Sequence, residues 1–386
     1  GPYLTVGKRH VTPEGLRERL PPVIRRISDH LTALYQTYAD ALDCQDRGDV
    51  PGVVTCLLRA GAIERSAGRL SQAAKWCGVA YGVAEGLSNR RPEVETLLAL
   101  GAIDAALGQY ADAGRAYQRA FTLAEAEFDQ AGVIAACRGL GAVALQQGDS
   151  SGALTWLSRA LRQAEAASDG ATTGRVLRLL GIVYGRQGDL TRAGEYLHRA
   201  AAHFAPLGEA VDMARTLDAQ GEVELALGRH AAAMGAYREA LAWARRTERE
   251  WSLEAGIRVH LAELLLETGG VLDAEEELRR AEQLAIAQGL GRRLVRVYTL
   301  MGRVRGLQHD ETGFVFFEQA IALCRTLERS AVMLADVYHR YGAFKQLTGQ
   351  REEAHALLER ARDLYEAMGG GPGLDLVREE LRRVSA

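Results

Sequence analysis

Arginine supplies most of the positive charge of this chain, and its placement is the first sign of a binding surface. Of the 47 basic residues, only Lys8, Lys75 and Lys345 are lysines. The candidate residues for contacts with an anionic group are Arg138, Arg175, Arg178, Arg186 and Arg215. The planar guanidinium group can donate two parallel hydrogen bonds to one carboxylate. The sequence therefore predicts a surface that recognises acidic groups of a ligand.

The sequence contains no recognisable catalytic or metal-binding motif. It lacks His-Glu-x-x-His, Gly-x-Ser-x-Gly and Gly-x-Gly-x-x-Gly. The nine histidines are dispersed, and His198 and His203 form the nearest pair in a predicted helix. Residues five apart do not share a helix face well, so a metal site there is not expected. We predict a protein that is not an enzyme and that has no catalytic residues, metal or cofactor.

Composition narrows the class of protein further. The five cysteines are scattered without Cys-x-x-Cys spacing, which is typical of a reducing, cytoplasmic compartment. The formal net charge of −3 argues against a general nucleic-acid binder. No run of eighteen apolar residues occurs, so no membrane span is expected. The starting pair Gly1-Pro2 is typical of what remains after a protease removes an expression tag.

A forty-residue period predicts the elements that must position these charges. Once in each period, the chain contains a segment similar to Leu100 to Tyr110. The same segment recurs as Leu180 to Leu190. Such a period indicates one small helical unit stacked on copies of itself. The glycines that mark the period are Gly61, Gly101, Gly141, Gly181, Gly221, Gly302 and Gly342.

Certain residue types recur at fixed positions of the repeat, and each has a physical role. The positions are numbered so that Gly101 is position 8. Position 8 is small because two antiparallel helices cross there, and position 20 is alanine for the same reason. Position 15 is glycine because the first helix ends there in a left-handed conformation. A large residue at position 24 fills the space between one unit and the next. Adding bulk at position 8 is expected to cost about 1–3 kcal/mol through overpacking.

This pattern resembles the tetratricopeptide repeat (TPR), in eight units over roughly residues 50 to 368. The forty-residue period is similar to the variant in MalT-like regulators and kinesin light chains. The resemblance implies an all-α, right-handed α-solenoid, a superhelix of helix-turn-helix repeats. It also implies that the first helices of the repeats line a concave groove.

The ends of the chain differ from the repeats. Residues 1–29 form an N-terminal extension, and residues 30–368 form the solenoid with a capping helix at 30–46. Residues 369–386 are a glycine-rich break followed by a capping helix from Leu374 to Val384. Repeats six and seven depart from the regular period. Ala262 replaces the glycine at position 8 of repeat six, and the lengths of the loops change. Neutral drift in loop length and a kink that reshapes the groove both explain this break.

If the first helices line the groove, positions 2, 5, 9, 12 and 13 face it. An arginine stripe beside an acidic stripe then suits a partner segment with acidic residues at one end. Alternatively, these charges pair across neighbouring helices, each pair contributing about 0–1 kcal/mol. The predicted groove residues are Arg138, Gln146, Arg175, Arg178, Arg186, Arg215, Asp218, Glu222, Glu263, Glu267, Arg296, Arg303, Asp336 and His339.

One departure from related families constrains the mode of binding. TPR families that grip extended peptides use asparagines at positions 6 and 9, but the only asparagine here is Asn89, in a predicted loop. An asparagine ladder is therefore not expected. Small residues such as Ala102 and Ala142 leave room in the early groove for a partner helix or for the chain's own N-terminal helix.

These observations predict a non-catalytic scaffold that binds another protein or a peptide segment, with acidic residues, in the cytoplasm of a bacterium. The alternative is a ligand- or peptide-sensing regulatory arm of a larger MalT-like transcriptional or signalling regulator. Nucleic-acid binding through the arginines is disfavoured by the acidic residues of repeat six. The identity of the partner and the oligomeric state are left open.

Overall fold

The computed structural model describes residues 4–6, 9–11, 22–66, 69–246, 251–327, 331–368 and 372–385. These residues form eighteen α-helices and one short antiparallel strand pair, β1 (Leu4–Val6) and β2 (Arg9–Val11). The prediction of an all-α solenoid of helix-turn-helix repeats is confirmed. Within the same residues, no helix combines the length and the apolar character needed to cross a bilayer.

The chain divides into two compact units, residues 1–168 and residues 169–386. The first unit holds an N-terminal helix and repeats one to three. Helix α1 packs against α2 and begins at Pro22, earlier than the predicted start at residue 30. A proline is well suited to the start of a helix, because its missing N–H would have no partner there. The helices of this unit are α1 (Pro22–Asp46), α2 (Val50–Ser66), α3 (Leu70–Ala84), α4 (Arg91–Ala106), α5 (Tyr110–Ala126), α6 (Gln130–Gln146) and α7 (Ser150–Ala166).

The second unit holds repeats four to eight and the C-terminal capping helix. Helix α18 packs against α17 and α16, as predicted for a cap. A short 3-10 turn, Glu311–Gly313, precedes the second helix of repeat seven. The helices are α8 (Gly170–Arg186), α9 (Leu190–Phe204), α10 (Ala210–Ala226), α11 (His230–Ala244), α12 (Trp251–Glu267), α13 (Val271–Gln288), α14 (Gly291–Leu307), α15 (Phe314–Thr326), α16 (Ala331–Leu347), α17 (Arg351–Ala367) and α18 (Pro372–Ser385).

Within each of the two units, every repeat is an antiparallel helix pair that also packs on the next pair of that unit. The first helix contacts its own second helix, and it also contacts the first helix of the next repeat in the same unit, as in the row α8, α10, α12, α14 and α16. The core between the helices is built from alanines and large apolar side chains. Ala193, Leu197 and Ala200 on α9 are fully buried, as are their counterparts in the other repeats. This arrangement places residues about forty positions apart on neighbouring parallel helices.

The glycine at position 8 is required by close contact with the large residue at position 24. A Cβ atom placed on Gly181 would lie 2.7 Å from Cγ of Leu197 and 3.2 Å from the carbonyl oxygen of Ala193. The same test at Gly221 gives 2.4 Å to Tyr237. In repeats four and five, the large residue at position 24, which was predicted to fill the space between one unit and the next, therefore also packs on position 8 of its own repeat.

Position 15 ends the first helix in the left-handed region, as predicted. Gly188 has a φ of +82° and Gly228 a φ of +72°. Repeat seven is the exception, since His309 occupies this position with a φ of +55°. A residue with a Cβ atom is strained in that conformation.

We expect Gly181→Ala to lower the free energy of unfolding by about 1–3 kcal/mol, because the new methyl group overlaps Leu197. Gly194→Ala, in the same repeat, is the matched control. A Cβ atom there has no neighbour within 4 Å. The control should be neutral or stabilise helix α9 by about 0.5–1 kcal/mol. Urea denaturation of the three proteins measures both effects, and equal losses in the two variants would contradict the assigned contact.

His309→Gly is expected to raise the free energy of unfolding by about 0.5–1 kcal/mol, because it removes left-handed strain from a residue with a Cβ atom. Gly188→Ala tests the same position of repeat four and should have the opposite sign. Thermal denaturation followed by circular dichroism measures both. A His309→Gly protein that is less stable than the wild type would show that the histidine ring supplies a stabilising contact.

Candidate binding surface

The first helices of repeats four to seven form a continuous row in the second unit. Helices α8, α10, α12 and α14 contact one another in that order. Most of the predicted groove residues lie on these four helices. We call this region the first-helix surface, and it comprises Arg175, Arg178, Arg186, Arg215, Asp218, Glu222, His260, Glu263, Glu267, Arg296 and Arg303.

Asp212 holds the two central arginines of repeat four. Its carboxylate lies 2.6 Å from Nε of Arg175 and 3.7 Å from Nη2 of Arg178. Asp212 is almost fully buried at the start of α10, and the Thr216 hydroxyl donates a hydrogen bond to its backbone carbonyl oxygen. Glu209 adds a weaker contact, 3.9 Å from Arg175. These arginines therefore connect repeat four to repeat five.

The next contact along the row joins repeat five to repeat six. Nδ1 of His260 on α12 lies 2.8 Å from Oδ1 of Asp218 and 3.8 Å from Oε1 of Glu222, both on α10. Burial lowers the pKa of His260, but the hydrogen bond to Asp218 and the nearby carboxylates outweigh burial and raise the pKa overall. The protonated imidazolium is thus favoured beside these two acids.

The third contact joins repeat six to repeat seven, where Glu263 on α12 forms an ion pair with Arg296 on α14. Three successive helix pairs of the row are therefore bridged by opposite charges. The alternative in which groove charges pair across neighbouring helices describes Arg175, Arg178, Glu263 and Arg296. Each bridge spans two repeats, so the sequence separation of its partners is 33 to 42 residues.

Negative charge is concentrated around Glu222. Neighbouring protein atoms displace part of the solvent around this carboxyl group and so raise its pKa, and Asp218 and Glu263 raise the pKa further, while His260 and Arg186 lower it. Burial also raises the pKa of the adjacent Tyr237 hydroxyl, with further contributions from the same group of acids. The middle of the first-helix surface is therefore an acidic region within reach of solvent, since the Glu222 side chain is 57% exposed.

The remaining predicted arginines lie nearer to solvent. Arg186 and Arg215 are exposed, at the end of α8 and the start of α10. Arg303 on α14 is half-buried, and no carboxylate of the described residues lies within ion-pair distance of it.

Two predicted residues belong to the first unit. Arg138 is half-buried on α6, and its charge lowers the pKa of Tyr117, which burial raises. Gln146 is exposed at the end of the same helix. Both residues lie on the first helix of repeat three, within the first unit.

A cavity of about 330 Å³ lies at the C-terminal end of the second unit. Its walls come from α14, α16 and the capping helix α18, and Tyr365 of α17 also lines it. Arg303 lies at its edge, and Asp336 is paired with Arg340 at 3.0 Å. Nε2 of His339 lies 3.1 Å from Glu380, which links α16 to α18. The apolar part of the lining is Leu307, Ala343, Phe344, Leu347 and Leu376.

A second cavity, of about 460 Å³, lies between α1 and repeat one in the first unit. Its lining is almost entirely apolar and includes Tyr35, Tyr38 and Trp76. The side chain of Tyr35 is 75% exposed, and Leu31 beside it is 56% exposed. The N-terminal helix therefore leaves part of its apolar face uncovered within the described residues.

Two residues of the candidate surface were not found from the sequence. Asp212 precedes the positions expected to face the groove, and His260 occupies position 6, which was considered only for the absence of asparagine. The forty-residue period contains the information needed to find these two residues, because residues about forty apart lie on adjacent first helices. A search for opposite charges at that separation would have paired Arg175 with Asp212 and Asp218 with His260.

The stacked helix pairs define an α-solenoid repeat protein, and sequence comparison finds a family match within it. Residues 93–166 and 172–246 match the family described as Tetratricopeptide repeat. These two segments of the chain therefore consist of tetratricopeptide repeats. No curated protein sequence matches the chain.

Several solved structures have a similar fold. A Rap protein complexed with competence and sporulation factor is 12% identical with a TM-score of 0.57, covering 87% of this chain and 98% of that one. The Rap conjugation gene regulator of plasmid pLS20, in complex with the Phr* peptide, is 16% identical with a TM-score of 0.58, covering 75% and 79%. The apo form of the quorum sensor NprR from B. thuringiensis is 11% identical with a TM-score of 0.53, covering 89% and 99%. These similarities show the fold alone.

The raised pKa of His260 predicts a pH-dependent contribution to stability. This contribution is fully present below the pKa of unfolded histidine, about 6.5, and is lost as pH rises through the higher folded value. The stability difference between wild type and His260→Gln should thus be larger near pH 5.5 than near pH 8.5. Urea denaturation at both pH values measures it. In an Asp218→Asn background the pH dependence should shrink, and an unchanged dependence would contradict the assigned pair.

Proposed function

We propose that this protein is a non-catalytic interaction module that binds a segment of a partner protein along the first-helix surface. The observation that carries the proposal is the continuous row of charged side chains on α8, α10, α12 and α14. An extended ligand can contact several neighbouring repeats of such a row at once. Solenoid proteins use extended surfaces of this type for recognition.

The arginines do not contribute equally to this proposal. Arg175 and Arg178 already contact the buried carboxylate of Asp212, so they chiefly stabilise the junction of repeats four and five. Arg186 and Arg215 are exposed beside that junction and can donate hydrogen bonds to acidic side chains of a partner. We therefore place the acidic end of the ligand over repeats four and five.

Similar proteins support a peptide ligand. Two of the similar solved structures are complexes, one with competence and sporulation factor and the other with the Phr* peptide. In the present chain, the single asparagine is confined to the loop before α4, where Asn89 accepts a hydrogen bond from the backbone N–H of Arg91. Recognition here would rest on charged side chains instead of an asparagine ladder.

A second candidate function is a ligand-sensing arm of a larger regulator, and the C-terminal cavity favours it. A volume of about 330 Å³, with an apolar floor and Arg303 at its edge, has the size and chemistry of a small-ligand site. A ligand that joins α14, α16 and α18 would stabilise the end of the second unit. In this function too, the chain recognises and does not catalyse.

We place this activity in the bacterial cytoplasm. All five cysteines are free thiols, and Cys77 and Cys137 are buried in apolar surroundings that raise the pKa of each to about 11. A high pKa keeps these thiols protonated and unreactive, which suits a reducing compartment.

Charge reversal tests the proposed surface. A partner is first identified by retention on the immobilised wild-type protein from the native host and by mass spectrometry, and its affinity is then measured by calorimetry. The double variant Arg186→Glu, Arg215→Glu should bind at least about tenfold more weakly, because two charge-assisted contacts become repulsive. The loss should shrink at high salt.

Arg238→Glu is the matched control, since Arg238 is an exposed arginine on the second helix of repeat five. It should leave the affinity unchanged. Equal affinities for the wild type and the double variant would exclude the first-helix surface at repeats four and five as the binding site.

A further inference from the structure

Three side chains with metal-binding groups meet in the acidic middle of the first-helix surface. Asp218 and Glu222 lie one turn apart on α10, and His260 points at both from α12. One ligand atom from each residue lies within 4.8 Å of the other two. The residues come from two different repeats, so no local sequence motif shows this cluster.

The distances are close to those of a coordination sphere. Two donor atoms bound to one tetrahedral zinc ion lie about 3.3 Å apart when each bond is about 2.0–2.1 Å long. The observed distances from Nδ1 of His260 are 2.8 Å to Asp218 and 3.8 Å to Glu222, which bracket that value. Small rotations of the Glu222 side chain, which is 57% exposed, would bring the three atoms around one ion.

An ion pair between histidine and aspartate accounts for only part of the cluster. The Nδ1–H group of His260 donates its hydrogen bond to Asp218. It therefore makes no hydrogen bond to Glu222, whose Oε1 lies 3.8 Å from Nδ1. Two carboxylates thus converge on one donor. Glu267 on the same side of α12 adds negative charge without a basic partner within ion-pair distance among the described residues, and its charge reaches the Tyr237 hydroxyl.

Three arginines lie around the cluster. Arg296 is engaged by Glu263, and the charge of Arg186 lowers the pKa of Glu222. Arg293 on α14 lies against Gly256, and burial lowers its pKa while Asp218 raises it. A divalent cation held by Asp218, Glu222 and His260 would add positive charge directly beside the two carboxylates.

We propose that Asp218, Glu222 and His260 form a binding site for a divalent first-row transition-metal ion such as Zn²⁺. Imidazole and carboxylate groups are ligands that such ions accept. On binding, the Nδ1–H proton of His260 passes to the solvent, and the freed nitrogen lone pair bonds to the metal. The two carboxylates supply one oxygen each. The remaining positions of the ion face solvent on the first-helix surface, where water or a ligand group can occupy them.

This proposal is independent of partner binding, and Zn²⁺ alone tests it. The full chain is freed of metal with a chelator, which is then removed, and titrated with ZnCl₂ by calorimetry in two buffers of different ionisation enthalpy. We expect one His260-dependent equivalent with release of about one proton, since the imidazole must be neutral to bind. Affinity should fall as pH decreases through the raised pKa of His260.

Two variants and one control decide the outcome. His260→Gln and Glu222→Gln should each weaken binding at least about tenfold. His198→Gln, on an exposed position of α9, should bind like the wild type. Glu222 is exposed, so its substitution should leave the circular dichroism spectrum unchanged and keep the test valid even where His260→Gln disturbs the fold.

Cobalt distinguishes this site from adventitious binding to the cysteines. Co²⁺ at the proposed site should give visible bands of nitrogen and oxygen coordination without the ultraviolet charge-transfer band of a thiolate ligand. A thiolate band, the absence of saturable Zn²⁺ binding, or equal affinity in wild type, His260→Gln and Glu222→Gln would each overturn the proposal.

Discussion

The close approach of two antiparallel helices at position 8 is the constraint on which the structure depends. A glycine such as Gly181 or Gly221 lets the large residue at position 24 pack directly on the backbone of the first helix. This contact fixes how each second helix lies on its first helix, and the next repeat packs on the pair. The stacked pairs then place the first helices, and the charges that bridge them, side by side.

Stacking converts a separation of about forty residues into contact between adjacent helices. Arg175 then meets Asp212, and Asp218 meets His260, although each pair lies in different repeats. The charges of the row are consequently of two kinds. Some hold neighbouring repeats together at half-buried sites, while others, such as Arg186 and Arg215, are exposed on the first helices. A charged residue that faces the surface therefore does not by itself identify a binding contact.

The sequence predicted the repeat, its glycines and the closing helix, because these features depend on local backbone conformation and on a strict period. It also placed Arg175, Arg178 and Arg296 on the first helices. The sequence did not show their partners, since the register between two neighbouring helices decides which of several acids lies opposite each arginine. The predicted start of the capping helix at residue 30 was wrong, since α1 begins at Pro22. The cluster around His260 was missed because its members belong to separate repeats.

The most direct test of this account is a double-mutant cycle between Arg175 and Asp212, which lie 37 residues apart in the sequence. The free energies of unfolding of the wild type, Arg175→Ala, Asp212→Ala and the double variant are measured by urea denaturation. The account predicts a coupling energy of about 1–2 kcal/mol, because the carboxylate is buried and hydrogen-bonded to the guanidinium group. A coupling energy of zero would contradict it, because the first helices of repeats four and five would then not lie in the described register.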